Sequence, residues 1–351
     1  THNVLVPGSS PGGPTKTNEE AQQPKTGRMM TIFCENCLKE TKYHSSNTDS
    51  FSNRNFDIYY CNNCFIGKTV VEKNFDFTSH YPKNYYGKDG KKFNFVVEFI
   101  VLFFRYLRAK FCYKLFRTNN VKMLDVGCGR GELLYLMKKK GWFVYGTEAS
   151  SISNIAAKKK VGEKEILIDK DFEKLKNIDI SFDIITFWHV LEHLNKPKEV
   201  ISLIEKKLAN KGFIVIEVPN FNSLQHLINK NTWIGLDCPR HLTHFTKEGL
   251  INFFDKKKFK IVKRSTLSFE FGFYGMLQSL LNLFVPIPNY LFYLIREKNA
   301  KIDEKYLKKK YLSLFLTIFL FVPFLIISVI LELVGVIFNK GSVLRIVIQK
   351  V

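Results

Sequence analysis

Acidic residues are in short supply: 32 Asp and Glu face 53 Lys and Arg, a formal charge of +21. Such an imbalance points to a polyanionic partner, either nucleic acid or an anionic membrane face. A Lys-, Asn-, Ile- and Phe-rich chain is also what an AT-rich genome encodes, so charge alone does not choose between them. Cysteine is sparse, seven in 351 residues, which excludes a small disulfide-held scaffold. Global disorder is excluded too, because 46% of the residues are hydrophobic and only 24% charged. No charged stretch leads into an apolar run near residue 1, so no secretory signal is expected there. Aromatic residues, by contrast, are plentiful. There are 33 Phe and 15 Tyr, concentrated in Phe93 to Phe116 and Phe269 to Phe338.

Residues 1–30 are rich in Pro, Gly, Thr and Gln without apolar periodicity and read as a disordered tail. Met29 and Met30 are candidate native starts. Gly8-Ser9-Ser10-Pro11 is what a transfer-RNA T-arm gene would encode if read through, so the tail is expected to be non-native. Residues 31–70 hold two turn-sized knuckles, Cys34-Glu35-Asn36-Cys37 and Cys61-Asn62-Asn63-Cys64. Two such pairs can complete a tetrahedral four-thiolate site, predicting a zinc ribbon with Cys34, Cys37, Cys61 and Cys64 as ligands. Paired disulfides or idle thiols are the alternatives.

Residues 71–118 read as a helical connector and lid. The helix expected over Lys92 to Arg117 has Phe95, Phe99, Leu102, Phe103, Tyr106 and Leu107 on one face. That face either packs on a core or lies in a membrane surface. Beyond it the pattern alternates, with strands predicted at Val121–Val126, Phe143–Gly146, Glu165–Ile168, Phe182–Phe187, Gly212–Val218 and Phe259–Leu267. Amphipathic helices between them, such as Gly131 to Lys140 and Pro197 to Leu208, argue for an α/β fold with a doubly wound, Rossmann-like parallel sheet over 119–270.

The first strand runs into Asp125-Val126-Gly127-Cys128-Gly129-Arg130-Gly131 and then a helix, a loop in which a Cβ would obstruct a close ligand. The second strand ends at Gly146-Thr147-Glu148, where an acid can accept two ribose hydroxyls. Alternate glycines with an acid in front depart from Gly-x-Gly-x-x-Gly and disfavour hydride chemistry. With Ser181-Phe182-Asp183-Ile184-Ile185, Leu191-Glu192-His193-Leu194-Asn195-Lys196-Pro197, Ile216-Glu217-Val218-Pro219-Asn220 and Arg240-His241-Leu242-Thr243-His244-Phe245, the chain resembles class I S-adenosylmethionine-dependent methyltransferases. Within that class it is similar to the small-molecule branch near the ubiquinone-biosynthesis O-methyltransferases. The resemblance implies S-adenosylmethionine as cofactor, held by Asp125, Gly127, Cys128, Gly129, Gly131, Glu148, Asp171 and Phe172, with Asp169 competing for the role of Asp171. It implies that the segment carrying His189, Glu192 and His193 borders the methyl group. His189 stands where that branch has a Glu ligand for a divalent ion. His193 is the first candidate for proton removal and His241 the second, with His244, His189 and Glu192 as further candidates. A capping role for Glu192-His193 is the alternative.

A strand at Ser342–Lys350 is expected to close the sheet, leaving 271–341 as an apolar insertion. Tyr311 to Phe338 has Glu332 as its one ionisable group after the start and is long enough to cross a bilayer, but Pro323 divides it. Full spans would send the basic stretch Arg296, Lys298, Lys301, Lys305 and Lys308–Lys310 across, against the positive-inside tendency. A membrane-associated hairpin broken at Pro286 and Pro323, monotopic or re-entrant on the cytoplasmic side, satisfies both constraints; a buried dimerisation helix is the alternative. The expected function is methylation, by O-methyl transfer, of a lipid-linked glycan, lipid or quinone-type acceptor, the kind of reaction that accompanies polysaccharide or quinone synthesis. RNA methylation and a non-catalytic zinc-ribbon adaptor are the alternatives, and a nucleic-acid partner is disfavoured because no base-binding motif stands out.

Overall fold

The computed structural model describes residues 32–49, 52, 54–72, 75–80, 95–168, 172–296 and 307–351. The expected tail at 1–30, Asp169 and Asp171 lie outside the described residues. Strands β1 (Lys42–Thr48), β2 (Asn55–Cys61) and β3 (Ile66–Thr69) form an antiparallel meander. In β2, Phe56 and Ile58 alternate with exposed Asn55 and Asp57, so one face is apolar. That face packs on Phe221, Trp233 and Leu236, residues more than 150 positions away in the chain.

Helix α1 (Phe95–Phe116) leads into alternating strands and helices: β4 (Lys122–Val126), α2 (Glu132–Lys138), β5 (Phe143–Glu148), α3 (Ser151–Val161), β6 (Ile166–Ile168), α4 (Glu173–Asn177), β7 (Phe182–Trp188), α5 (Pro197–Lys207) and β8 (Leu208–Pro219). Then come α6 (Leu224–Asn229), β9 (Thr243–Phe245), α7 (Lys247–Ile251), β10 (Phe259–Ser265), α8 (Gly272–Leu281), α9 (Tyr290–Arg296), α10 (Leu307–Ile337) and β11 (Val343–Lys350). The main sheet has the order β10-β11-β8-β7-β4-β5-β6, parallel except for β11, which runs antiparallel to both neighbours. Its central strands are apolar on both faces, with Leu124, Ile184, Ile185, Phe187 and Ile214 to Ile216 all buried, as helix-covered parallel strands require. Winding reverses at β4, which pairs with β5 on one side and β7 on the other. The crevice at such a switch point is where ligands bind. β9 does not join this sheet; it pairs with β3 and completes the N-terminal meander.

Packing decides an open reading on α1 and changes an expectation on α10. On α1 the stripe Phe99, Leu102, Phe103 and Tyr106 points outward, each about half exposed or more. The helix instead turns Arg108, Ala109 and Cys112 to the sheet, where two small side chains allow close approach and Arg108 is neutralised by Glu270 at 2.6 Å. The second concerns α10, which continues through Pro323 without a break. A proline removes one backbone bond within a long ladder, and α8 supports α10 alongside, so 31 residues form one helix of about 46 Å at 1.5 Å per residue. The other expected break is present: the chain leaves helical structure between α8 and α9, around Pro286 and Pro288. α8 packs so closely that a Cβ on Gly272 would lie 2.8 Å from Glu332.

Candidate active site

The crevice is built by the loop from β4 to α2. Gly127, Gly129 and Gly131 all have φ between +57° and +75°, a region where other residues are strained. A Cβ at Gly127 would lie 2.5 Å from Val190, so this glycine lets the loop meet the segment after β7. At Gly129 nothing lies within 4 Å, leaving room for a ligand against the backbone. Glu148, at the tip of β5, accepts Gly129 N–H at 2.9 Å and Ser150 N–H at 2.7 Å, tying the loop to the start of α3. Burial pushes its carboxyl above the ordinary value. Asp125 is buried and accepts the Thr186 hydroxyl of β7 at 2.6 Å; burial raises its carboxyl to about 6. Cys128 is buried beneath the loop, against Gly146. Phe172 caps α4 with φ 61° and is buried in the main core. The arrangement fits S-adenosylmethionine: an open backbone at Gly129 beside an acid positioned for a ribose.

Beyond β7 lies a cluster of histidines and carboxylates. His189, at φ 56°, places Nε2 3.1 Å from Glu217 and Nδ1 3.4 Å from Glu192. Burial opposes its charge, but these two acids prevail and lift its imidazole to about 9. Both acids thus favour the charged form of this imidazole. Burial works to raise the Glu192 and Glu217 carboxyls too, yet both are held below the usual range, Glu192 by His189 and neighbouring imidazoles, Glu217 by His189, Arg345 and Arg108. His193 and His241 stand edge to face, ring centres 4.6 Å apart. Each uses Nδ1 on a backbone carbonyl, Arg240 at 2.9 Å and Gly235 at 2.8 Å, which leaves Nε2 as the free lone pair. Burial, aided by His193, lowers the His241 imidazole. Ligand atoms of Glu192, His193 and His241 lie within 4.8 Å of one another. Neither oxygen of the Glu192 carboxylate has a hydrogen-bond partner among the described residues, its contact with His189 being a longer ion pair. With the His193 and His241 nitrogens beside it, this carboxylate makes a donor set that would fit a divalent cation.

His244 does not join them. It sits in β9 with Nε2 2.8 Å from the Thr69 hydroxyl, and burial lowers its imidazole far below the ordinary value. The same Thr69 hydroxyl donates to the His241 carbonyl at 2.7 Å, and Arg240 reaches Asp49 at 2.9 Å, so the N-terminal meander directly supports the loop that carries His241. At the meander's end Cys34, Cys37, Cys61 and Cys64 bring their sulfurs within 4.8 Å of one another. The Cys64 N–H points at Cys61 Sγ at 3.3 Å, as knuckle amides do toward thiolates. This donor set fits tetrahedral zinc.

Sequence reasoning missed Arg108, Thr186 and Arg345 as site residues. Arg345 binds Glu217 with Nε at 2.5 Å and with Nη2, and Arg108 lies 3.6 Å away. The available signal was a charge set within the apolar run of each of two strands, Glu217 in β8 and Arg345 in β11, which only pairing could satisfy.

A parallel sheet wound about β4, an antiparallel strand β11 one place in from its edge and an acid-preceded glycine loop define a doubly wound, nucleotide-binding α/β fold. Residues 98–264 match the family described as "Methyltransferase domain". The "Ubiquinone biosynthesis O-methyltransferase" of Bartonella tribocorum is 28% identical over 162 residues, 43% of this chain and 65% of that protein. The one from Pasteurella multocida is 34% identical over 112 residues, covering 28% and 46%. The match thus spans less than two thirds of these relatives' own length. Among solved structures, an S-adenosylmethionine-dependent methyltransferase from Archaeoglobus fulgidus aligns over 70% of this chain and 94% of its own, with 23% identity and a TM-score of 0.44. The chain carries a class I S-adenosylmethionine-dependent methyltransferase domain.

Proposed function

We propose that the protein transfers a methyl group from S-adenosylmethionine to a hydroxyl of a membrane-presented acceptor, a lipid, a lipid-linked glycan or a quinone-type ring. The observation that carries the reading is the open backbone at Gly129 beside Glu148, with the His193–His241 pair on the loops beyond β7 and β8. When bound, the cofactor supplies an already activated methyl group, so the protein must position the acceptor and take its proton. His193 Nε2 is the base by this reading, because its Nδ1–H is held by the Arg240 carbonyl and its charge, once gained, is met by buried Glu192. Asp171, with Asp169 as competitor, is kept as a proposed adenine contact beside Phe172.

Membrane attachment is supported by the inverted polarity of α10. Ser313, Thr317, Ser328 and Glu332 face inward and are buried, whereas Phe315, Ile318, Phe319, Val322, Ile326, Ile330 and Ile337 are more than half exposed. Water-soluble helices do the reverse, and helices in lipid pack small and polar residues inward. The outward stripe of α1 adds to this surface. A monotopic arm on the cytoplasmic side keeps Lys308, Lys309 and Lys310, at the start of α10, near anionic headgroups. The four cysteines are proposed to hold structural zinc.

Labelled-methyl transfer into a membrane extract, with phase partition of the product, tests the reading. Label in the organic phase is expected; label in RNA or absence of any product despite cofactor binding rejects it in favour of a nucleic-acid enzyme or a non-catalytic adaptor. A second reading of the same site has Glu192, His193 and His241 holding a divalent ion that would lower the acceptor hydroxyl's pKa, motivated by the clustering of their ligand atoms and by a Glu192 carboxylate without a hydrogen bond among the described residues. Stimulation by added magnesium or manganese in protein with its zinc intact separates the two.

A further inference from the structure

Besides the cofactor crevice there is a second concavity, of about 330 Å³, between α1, the β8–β11 face of the sheet and residues 268–270. Its lining is basic: Arg108, Lys110, Lys114, Lys263 and Arg345 against Glu217 and Glu270. Both acids are already engaged, Glu217 by Arg345 and His189, Glu270 by Arg108. Lys110, Lys114 and Lys263 have no carboxylate within ion-pair distance among the described residues. Lys263 instead places its ammonium 4.9 Å over the Phe111 ring. Like charges gathered around one hollow repel unless an anion enters it.

The remaining walls are aromatic. Phe104, Phe111 and Trp188 form the floor, and Phe269 stands on the rim, 57% exposed. Its ring meets Phe273 in the first turn of α8 at 5.7 Å, so the rim continues into the apolar arm formed by α8, α9 and α10. The deep end, through Glu217, shares a wall with His189 and the candidate acid–base cluster. A small inorganic anion would use the cations and leave the aromatic wall empty; a neutral lipid would leave the cations unmatched.

We infer that this groove binds an amphiphile with a phosphate or diphosphate head, the head among Lys110, Lys114 and Lys263 and the apolar chain running over Phe269 toward the arm. Its role as acceptor rests on the methyltransferase reading; its chemistry does not. It narrows the acceptor to a phosphorylated lipid, as opposed to an uncharged quinone.

Trp188 sits in the groove wall under Arg108 at 4.8 Å and Arg345 at 5.4 Å, and its fluorescence reports occupancy. The full chain in detergent is titrated with farnesyl diphosphate, farnesol and inorganic diphosphate, beside the variant Lys110→Ala/Lys114→Ala/Lys263→Ala, whose changed side chains are exposed. Farnesyl diphosphate is expected to bind at least about tenfold more tightly than either fragment, and the variant to lose about tenfold or more with an unchanged melting curve. A variant that binds as well as the wild type overturns the inference, as does inorganic diphosphate binding as tightly as the prenylated form. Calorimetry with S-adenosylmethionine separates the two readings: no cofactor binding with retained farnesyl diphosphate binding rejects the methyltransferase function alone. Methyl transfer into the organic phase without farnesyl diphosphate binding rejects the groove alone.

Discussion

At the residue scale, the glycines and histidines each carry a separable role. Gly127→Ala brings a Cβ to 2.5 Å from Val190 and adds strain at φ +69°, so it is expected to destabilise the fold by about 1–3 kcal/mol, read by thermal melting. Gly129→Ala meets no protein atom within 4 Å, so calorimetry should show cofactor affinity falling while stability changes by only about 1 kcal/mol. His193→Ala is expected to lower turnover by about 10²–10⁴ with cofactor affinity kept, and His241→Ala to follow it; unchanged turnover in both would remove histidine catalysis. His189 makes a pH prediction. Its folded value near 9 exceeds the ordinary 6.5, so its contribution is complete below pH 6.5 and is lost as pH rises toward 9. Chemical denaturation across that window should show stability declining in the wild type and a flatter profile in His189→Gln. The glycine loop and Glu148 were legible in the sequence because they combine an uncommon residue pattern with strand ends. The upward shift of the His189 imidazole was only half legible: Glu192 lies three positions on, but Glu217, its other partner, lies 28 positions away.

At the scale of elements, the two sheets are not independent. β9 leaves the main chain of strands to pair with β3, and the loop before it carries Arg240 and His241. Four cysteines at one end of the meander therefore bear on a histidine at the other. Cys61→Ser is expected to reduce metal content and methyl transfer together while leaving affinity for S-adenosylmethionine near normal, since the cofactor loop belongs to β4 and β5. Retained transfer in metal-free protein would uncouple the ribbon from the site. The knuckles were readable from spacing alone. Their attachment to residues 243–245 was not, since a three-residue strand has no periodicity to detect. For α10 the sequence supports length and apolarity, whereas continuity through Pro323 comes from packing on α8, and the inward face of Ser313, Thr317, Ser328 and Glu332 emerges only once that partner is known.

At the scale of the whole molecule, the excess charge noted first is divided among different tasks. Arg108, Arg240 and Arg345 are spent on internal carboxylates, while Lys110, Lys114 and Lys263 edge a groove. The exposed faces of α1 and α10 predict that the protein pellets with membranes after alkaline carbonate washing; recovery in the soluble fraction without detergent would count against the arm. The sequence by itself determined the parallel sheet, its order of strands and helices, the glycine loop and the four cysteines, because these follow from local periodicity and short spacings. Only the tertiary structure decided which face of α1 is buried, which histidine is set between two carboxylates, and that the N-terminal meander supports the loop that carries His241. Each of those depends on charges or surfaces brought together from distant parts of the chain, and burial makes their pairing decisive.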